Sequence, residues 1–447
     1  MNLQLTTPRA GTVSPPARGA ARRAALLGLL AASGSVVFIE PAPYDLLAIA
    51  MFLGLGASGL RFPRELQWPV ILLGLFVFAN ALAAALAPEP LQTLRSLSIR
   101  VYMPMTFLLI ASLIASDPQR MLRALWAGYL LAAVLAVCWG TAEYLGLLPG
   151  ELWQGGLRAK AGFKDPNVFG PFLVPAAIHT VRRLAGGRPR DLGLYLPLFL
   201  LLAFGILLSF SRGAWINFSL SLGLFGALSV LFARSQRQRL GWLAAAILLA
   251  LLAAGTLAAA VSVDVIGARF YQRAVLAQRY DVAAGGRFDA QRKALEHIGS
   301  DPIGVGPGRS DEEFGLEPHN LYLHVPVESG WLGALGFFAL LLLTGGRLLA
   351  LLRRPPPELQ AELGIVVACL SGVLVQSLFI DSTHWRHLWL LLAVAWGLIA
   401  ACRRRPADRP ILSEVTAAEP SSRYPDRAVR ATAGHAGRGT GHSEKTR

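Results

Sequence analysis

Apolar residues in this chain come in long blocks, not in the spaced stripes of a surface helix. Runs such as "LLAASGSVVFI" and "WLAAAILLALLAAGTLAAAVSV" carry no charge until their ends. Roughly 20 helical residues cross a hydrocarbon core of about 30 Å, so blocks of this kind predict membrane spans. Only a helix or a closed barrel satisfies its backbone in lipid, and no period-2 alternation marks a barrel. Spans are expected near 24–39, 44–60, 68–87, 99–115, 121–145, 167–182, 192–209, 213–232, 240–262, 321–352, 361–380 and 386–402. The expected fold is an all-α, polytopic membrane helix bundle of about twelve transmembrane helices.

Three segments fall outside the blocks. Residues 1–22 and 403–447 are polar, basic and without period, and are expected to be disordered tails flanking a membrane domain over 23–402. Residues 263–320 form a long connection between the ninth and tenth spans. Within it, "GRFDAQRKALEHIG" brings Phe288, Leu295 and Ile298 to near-helical spacing, which predicts a short amphipathic helix. Gly304, Gly306 and Gly308 follow. No strand and helix flank them and no Lys-Ser/Thr follows, so tight turns are expected and not a nucleotide loop.

Composition agrees: 54% of residues are hydrophobic and 15% charged, where a soluble domain carries about 25% charged residues. The formal charge of +15 would suggest a nucleic-acid partner on a soluble protein. Here the arginines fall in alternate connections. Arg61 and Arg64 follow the second span, and Arg120 and Arg123 the fourth. Arg182, Arg183, Arg188 and Arg190 follow the sixth, Arg234, Arg237 and Arg239 the eighth, Arg353 and Arg354 the tenth, Arg403 to Arg405 the last. Basic connections stay cytoplasmic, so both termini are expected in the cytoplasm, with 263–320 on the outer face of the membrane and no nucleic acid bound. Cys138, Cys369 and Cys402 show no metal-ligand spacing, and neither a metal site nor a disulfide framework is expected.

Basic residues that break this orientation rule need a reason. Arg212 sits in "LLSFSRGAWINF", at the outer end of the seventh and eighth spans, where an arginine is costly unless it meets an anion or faces a cavity. The competing reading is an arginine snorkelling to the interface. Most charges of 263–320, seven basic against nine acidic, read as a solvated face. His319-Asn320 marks the re-entry into the tenth span. There Asn320 reads as a helix cap and His319 as an interfacial residue or a proton carrier. Asn167, Glu328, Asp381, His384 and Arg386 lie near outer span ends and read first as caps or anchors.

In order along the chain, "GFKDPNVFGPFLVPA", "SRGAW", "GGRFDAQRKALEHIGSDPIGVGPG", "PHNLYLHVPVESGWLGALGF" and "DSTHWRHLWLLLAVAWGL" resemble the O-antigen ligase-related membrane proteins, over about residues 160–400. The resemblance implies a metal-independent, inverting glycosyl transfer on the periplasmic face, with no cofactor. The donor it implies is a glycan on undecaprenyl diphosphate. The acceptor is lipid A-core for a ligase, a growing glycan for a repeat-unit polymerase, or a protein hydroxyl for an O-oligosaccharyltransferase. It also implies that Arg212 and Arg287 bind the diphosphate and that His319 is the general base. Asn320, Asn167, Arg309 and Arg386 are kept beside them as supporting candidates. A secondary transporter of twelve spans is the alternative outside this class, and no internal repeat favours it.

Overall fold

The protein is described by a computed structural model that covers residues 15–148, 158–185, 188–274 and 285–403. A helix lies at each of the twelve expected spans. They are α1 (Pro15–Ala32), α2 (Pro43–Ala57), α3 (Gln67–Leu86), α4 (Pro90–Ser116), α5 (Pro118–Tyr144), α6 (Pro166–Leu184), α7 (Pro189–Leu208), α8 (Arg212–Leu231) and α9 (Gln236–Val261). The long connection holds α10 (Asp264–Ala274), α11 (Arg287–Ser300) and α12 (Ser310–Phe314), and is followed by α13 (Leu321–Arg353), α14 (Gln360–Gln376) and α15 (Arg386–Arg403). Among the described residues there is no strand. Among the described residues eight helices are long and apolar enough to cross a membrane, and α2 and α14 are shorter apolar helices. The molecule is a polytopic helical bundle.

The helix starts follow from local chemistry. Proline opens α2, α4, α5, α6 and α7, where its missing N–H leaves no orphan donor. Side chains cap others: Asp165 accepts from Asn167 N at 2.7 Å, Ser211 from Ala214 N at 3.3 Å and Asn320 from Tyr322 N at 2.9 Å. The helices then pack through small residues, as membrane helices do. A Cβ at Gly128 would stand 1.9 Å from the Gly28 carbonyl, so α1 and α5 touch backbone to backbone.

The longest helix, α13, is broken. Gly330 has φ 63°, ψ −168°, a conformation open essentially to glycine alone. The groups this break frees are taken up by residues 302–306. Val305 N donates to Val327 O (2.9 Å), Gly306 N to Glu328 O (3.1 Å), and Trp331 N to Pro302 O (3.0 Å). Gly304, Gly306 and Gly308 all have positive φ, so the expected tight turns form a strap laid across the break.

Three expectations shift. Residues 15–22, assigned to the N-terminal tail, belong to α1, where alanine and arginine favour helix; the rest of both expected tails lies outside the described residues, apart from Arg403. The first span ends early, and residues beyond Ser35 leave the helix, where Val37 N bonds Gly162 O at 2.8 Å. In α11 the inward face is not Phe288 and Leu295, which are exposed. Ala290 and Ala294 are buried, with Ile298 packed beside them. Small side chains let α11 lie close on α13, and larger ones at those positions would hold it off.

A test of the strap is Gly330→Ala. A Cβ there would meet Pro302 O at 2.2 Å, and the φ adds strain of about 1–3 kcal/mol. Thermal unfolding in detergent should show a clearly lowered midpoint; an unchanged one would mean that the strap does not press on the break.

Candidate functional site

The connections of the bundle sort into two sets. One set meets around a cavity of about 690 Å³, lined by residues from 34–40, 158–172, 210–216, 287–288, 316–319 and 376–387. The alternate, arginine-bearing connections contribute none of the lining. They are tied together elsewhere: Glu362 at the start of α14 holds Arg182 of α6 at 3.0 Å and Trp126 of α5 at 2.7 Å. The cavity therefore occupies the end of the bundle opposite the basic connections. Its volume is in the range of small-molecule sites.

Five helices begin at this cavity. The lining takes residues from the first turn or the cap of α6, α8, α11 and α15, and His319 just before the cap of α13. Helix N-termini carry partial positive charge and free N–H groups, so the arrangement favours an anion. The side chains add five cations, Arg158, Lys164, Arg212, Arg287 and Arg386, to four carboxylates, Glu40, Asp165, Glu317 and Asp381.

The turn that presents Arg212 is constrained. Phe210 sits at φ 46°, a region a bulky residue rarely adopts. Ser209 Oγ bonds Ile206 O at 2.6 Å, closing α7, while Ser211 caps α8. Arg158 donates Nε to Ser209 O (2.9 Å) and a terminal nitrogen to Asn167 Oδ1 (2.7 Å). The segment carrying Arg158 is anchored from inside. Glu143, fully buried, accepts from Lys160 N (3.1 Å) and Ala161 N (2.8 Å). Arg287 opens α11 with its guanidinium 5.5 Å from the Phe288 ring centre. His319 also has a left-handed backbone, φ 46°. Its Nδ1 is 3.9 Å from Glu317 Oε2, beyond hydrogen-bond reach. Strained backbone of this kind persists where the surroundings impose it, often at functional sites.

Of the residues singled out in the sequence, Arg212, Arg287, His319, Asn167 and Arg386 line the one cavity. Arg386 makes a bidentate pair with the buried Asp45 of α2 (2.8 and 2.6 Å), which fastens α15 to α2. Asn320 is the α13 cap, and Arg309 pairs with Glu312 at 3.2 Å; neither is part of the lining. Sequence reasoning passed over Arg158 and Lys164. The signal was available: they are basic residues in a connection that the orientation rule places outside. Asp381 and His384 were read as caps or anchors, and both line the cavity.

Behind the wall lies a buried charge network. Arg100 of α4 holds Glu328 Oε2 at 2.7 Å and His324 Nε2 at 3.0 Å. Glu328 Oε1 accepts from Gly308 N at 2.9 Å, and His324 Nε2 is 3.5 Å from Asp381 Oδ2. Asp381 also accepts from Thr383 N (3.0 Å) and Thr383 Oγ1 (2.8 Å) and meets His384 Nδ1 at 3.1 Å. Burial would raise the Asp381 carboxyl, but His324, His384 and Arg100 outweigh it and hold it below the usual range.

Residues 197–338 match the family described as O-antigen ligase. Over that segment the chain is similar to the O-antigen ligases. The matched segment holds Arg212, Arg287 and His319 and stops short of Asp381, His384 and Arg386. No curated protein matches the chain. Among the described residues no group of three or more His, Cys, Asp or Glu is placed to hold a metal ion.

At the cavity rim, Glu40 pairs with Lys164 and with Arg95 of α4. Burial would raise its carboxyl, but Lys164 and Arg95 bring it below the ordinary value. A depressed native value contributes stability above the ordinary carboxylate range, lost as pH falls through the native one. The melting difference between wild type and Glu40→Gln should therefore be present at neutral pH and vanish in acid. A difference independent of pH would contradict the clamp. Breaking the buried pair is the harsher change: Arg100→Ala should cost about 3–5 kcal/mol, read as a large drop in the detergent melting midpoint.

Proposed function

We propose that this protein is a glycosyl transferase of the O-antigen ligase and polymerase type, acting at the periplasmic end of an inner-membrane bundle. On this reading the donor is a saccharide on undecaprenyl diphosphate and the acceptor a hydroxyl of lipid A-core. The supporting observation is the convergence of Arg212, Arg287 and His319, far apart in sequence, on one cavity where five helices begin.

The chemistry follows from what the cavity holds. A diphosphate is already an activated leaving group, and what it needs is compensation for the charge that develops as the glycosidic C–O bond breaks. Fixed cations and helix N-termini supply that without reorganising during the reaction. Arginine suits the task because its planar fork meets phosphate oxygens bidentately and stays charged. The attacking hydroxyl loses a proton, which an imidazole at the rim can take; the resemblance gives that role to His319. A polymerase would use the same donor with a growing glycan as acceptor. Deleting the gene separates the two: unligated long glycan on the lipid carrier marks a lost ligase, single repeat units a lost polymerase.

The variants Arg212→Ala and Arg287→Ala should each lower kcat about 10²–10³-fold in an in vitro transfer assay at equal protein level. Arg212→Lys should not restore it, since a point charge lacks the bidentate fork. With the base role where the resemblance puts it, His319→Ala should lower the rate about 10²-fold or more. Full activity in any one variant removes that residue's role. Solute movement by reconstituted protein with no glycan transfer would favour a transporter.

A further inference from the structure

The cavity holds more than one imidazole, and only one of those described has a carboxylate in hydrogen-bond contact. His384 lies in the connection between α14 and α15. Its side chain is 51% exposed and its Nδ1 is 3.1 Å from Asp381 Oδ2. Asp381, 4% exposed, already accepts from Thr383 N and Thr383 Oγ1, and His324 Nε2 is 3.5 Å from the same Oδ2. A carboxylate only accepts, so it accepts from His384 as well. The nitrogen facing it therefore carries the N–H, and the neutral ring is left with its lone pair on Nε2. A base oriented by a carboxylate behind it is the arrangement of Ser-His-Asp sites, where an imidazole takes a proton from a hydroxyl. His319 lacks this support, since Glu317 is 3.9 Å away and 45% exposed. His387 also lines the cavity, but its side chain is buried and its Nε2 finds no hydrogen-bond partner.

We propose that His384, oriented by Asp381, is the catalytic base of this cavity, and that His319 contacts the acceptor from the rim. This rests on the transfer reading and moves one role within it. In the step, the acceptor oxygen bonds to the anomeric carbon. The bond from that carbon to the diphosphate oxygen breaks, and its electron pair leaves with the diphosphate. The hydroxyl proton passes to Nε2 of His384, leaving an imidazolium beside the Asp381 carboxylate, and from there to water. Asp381 is a positioning residue. Its link through His324 and Glu328 to Arg100 holds the carboxylate in place at the cavity wall.

The test uses the full chain in proteoliposomes with undecaprenyl-diphosphate-linked O-antigen as donor and lipid A-core as acceptor. Because His384 is half exposed, His384→Ala leaves the core packing intact. The expected result is a kcat lower by about 10²-fold or more, an unchanged KM for the donor, and partial recovery on adding imidazole. Asp381→Asn should also lower kcat, and combined with His384→Ala should cost no more than His384→Ala alone, because the two act as a unit. An unchanged kcat in His384→Ala, or a loss that imidazole leaves untouched, overturns the proposal. So does imidazole rescue of His319→Ala with His384→Ala fully active, although transfer by the wild type would then still support the broader reading. No transfer by the wild type with this donor would instead overturn the reading itself.

Discussion

Glu328 puts a carboxylate inside a helix bundle, and much of the cavity end is arranged around that charge. An unpaired buried carboxylate is untenable in a low-dielectric interior, so the group needs a cation and hydrogen-bond donors around it. Arg100 supplies the cation from α4, and Gly308 N supplies a donor from the strap. These two contacts join three parts of the chain far apart in sequence. They also explain why α13 can be broken at Gly330. The strap that satisfies the open backbone is held down one residue pair away by the Glu328 side chain itself.

From that anchor the geometry of the cavity follows outward. Fixing the strap places α11 on α13, which sets Arg287 at the start of α11 beside the cavity. On the other side, Arg100 and His324 carry the network to Asp381 and so to His384. A second set of supports works independently. Glu143 holds the segment bearing Arg158, and Asp45 holds Arg386. Arg386 and the segment bearing Arg158 are thus held by carboxylates behind them. Charges held in place in advance are what preorganised electrostatics requires.

The direction of the helices adds a contribution that no single side chain carries. Chain connections alternate between the two ends of the bundle, so helices entering from the cavity end all present their N-termini there. The fold places four such starts around one space, those of α6, α8, α13 and α15, and adds the start of α11 from the long connection; α8, α11 and α15 each open on an arginine. Backbone dipole and side-chain charge therefore have the same sign at the same place.

The sequence alone determined the helical class, the approximate places of a helix at each of twelve apolar blocks and the alternation of basic connections. Apolar block length and arginine placement are local properties, readable one segment at a time. Arg212, Arg287 and His319 were found because each breaks a local expectation or sits in a motif. Tertiary structure alone decided which polar residues share a space. It removed Arg309 from the cavity, reduced Asn320 to a cap, and turned Asp381 and His384 from apparent span-end anchors into a paired carboxylate and imidazole. It also put Ala290 and Ala294, not Phe288 and Leu295, on the inner face of α11. The physical reason is common to these cases. Burial and pairing depend on which distant helix packs alongside, and periodicity within one segment carries no record of its partner.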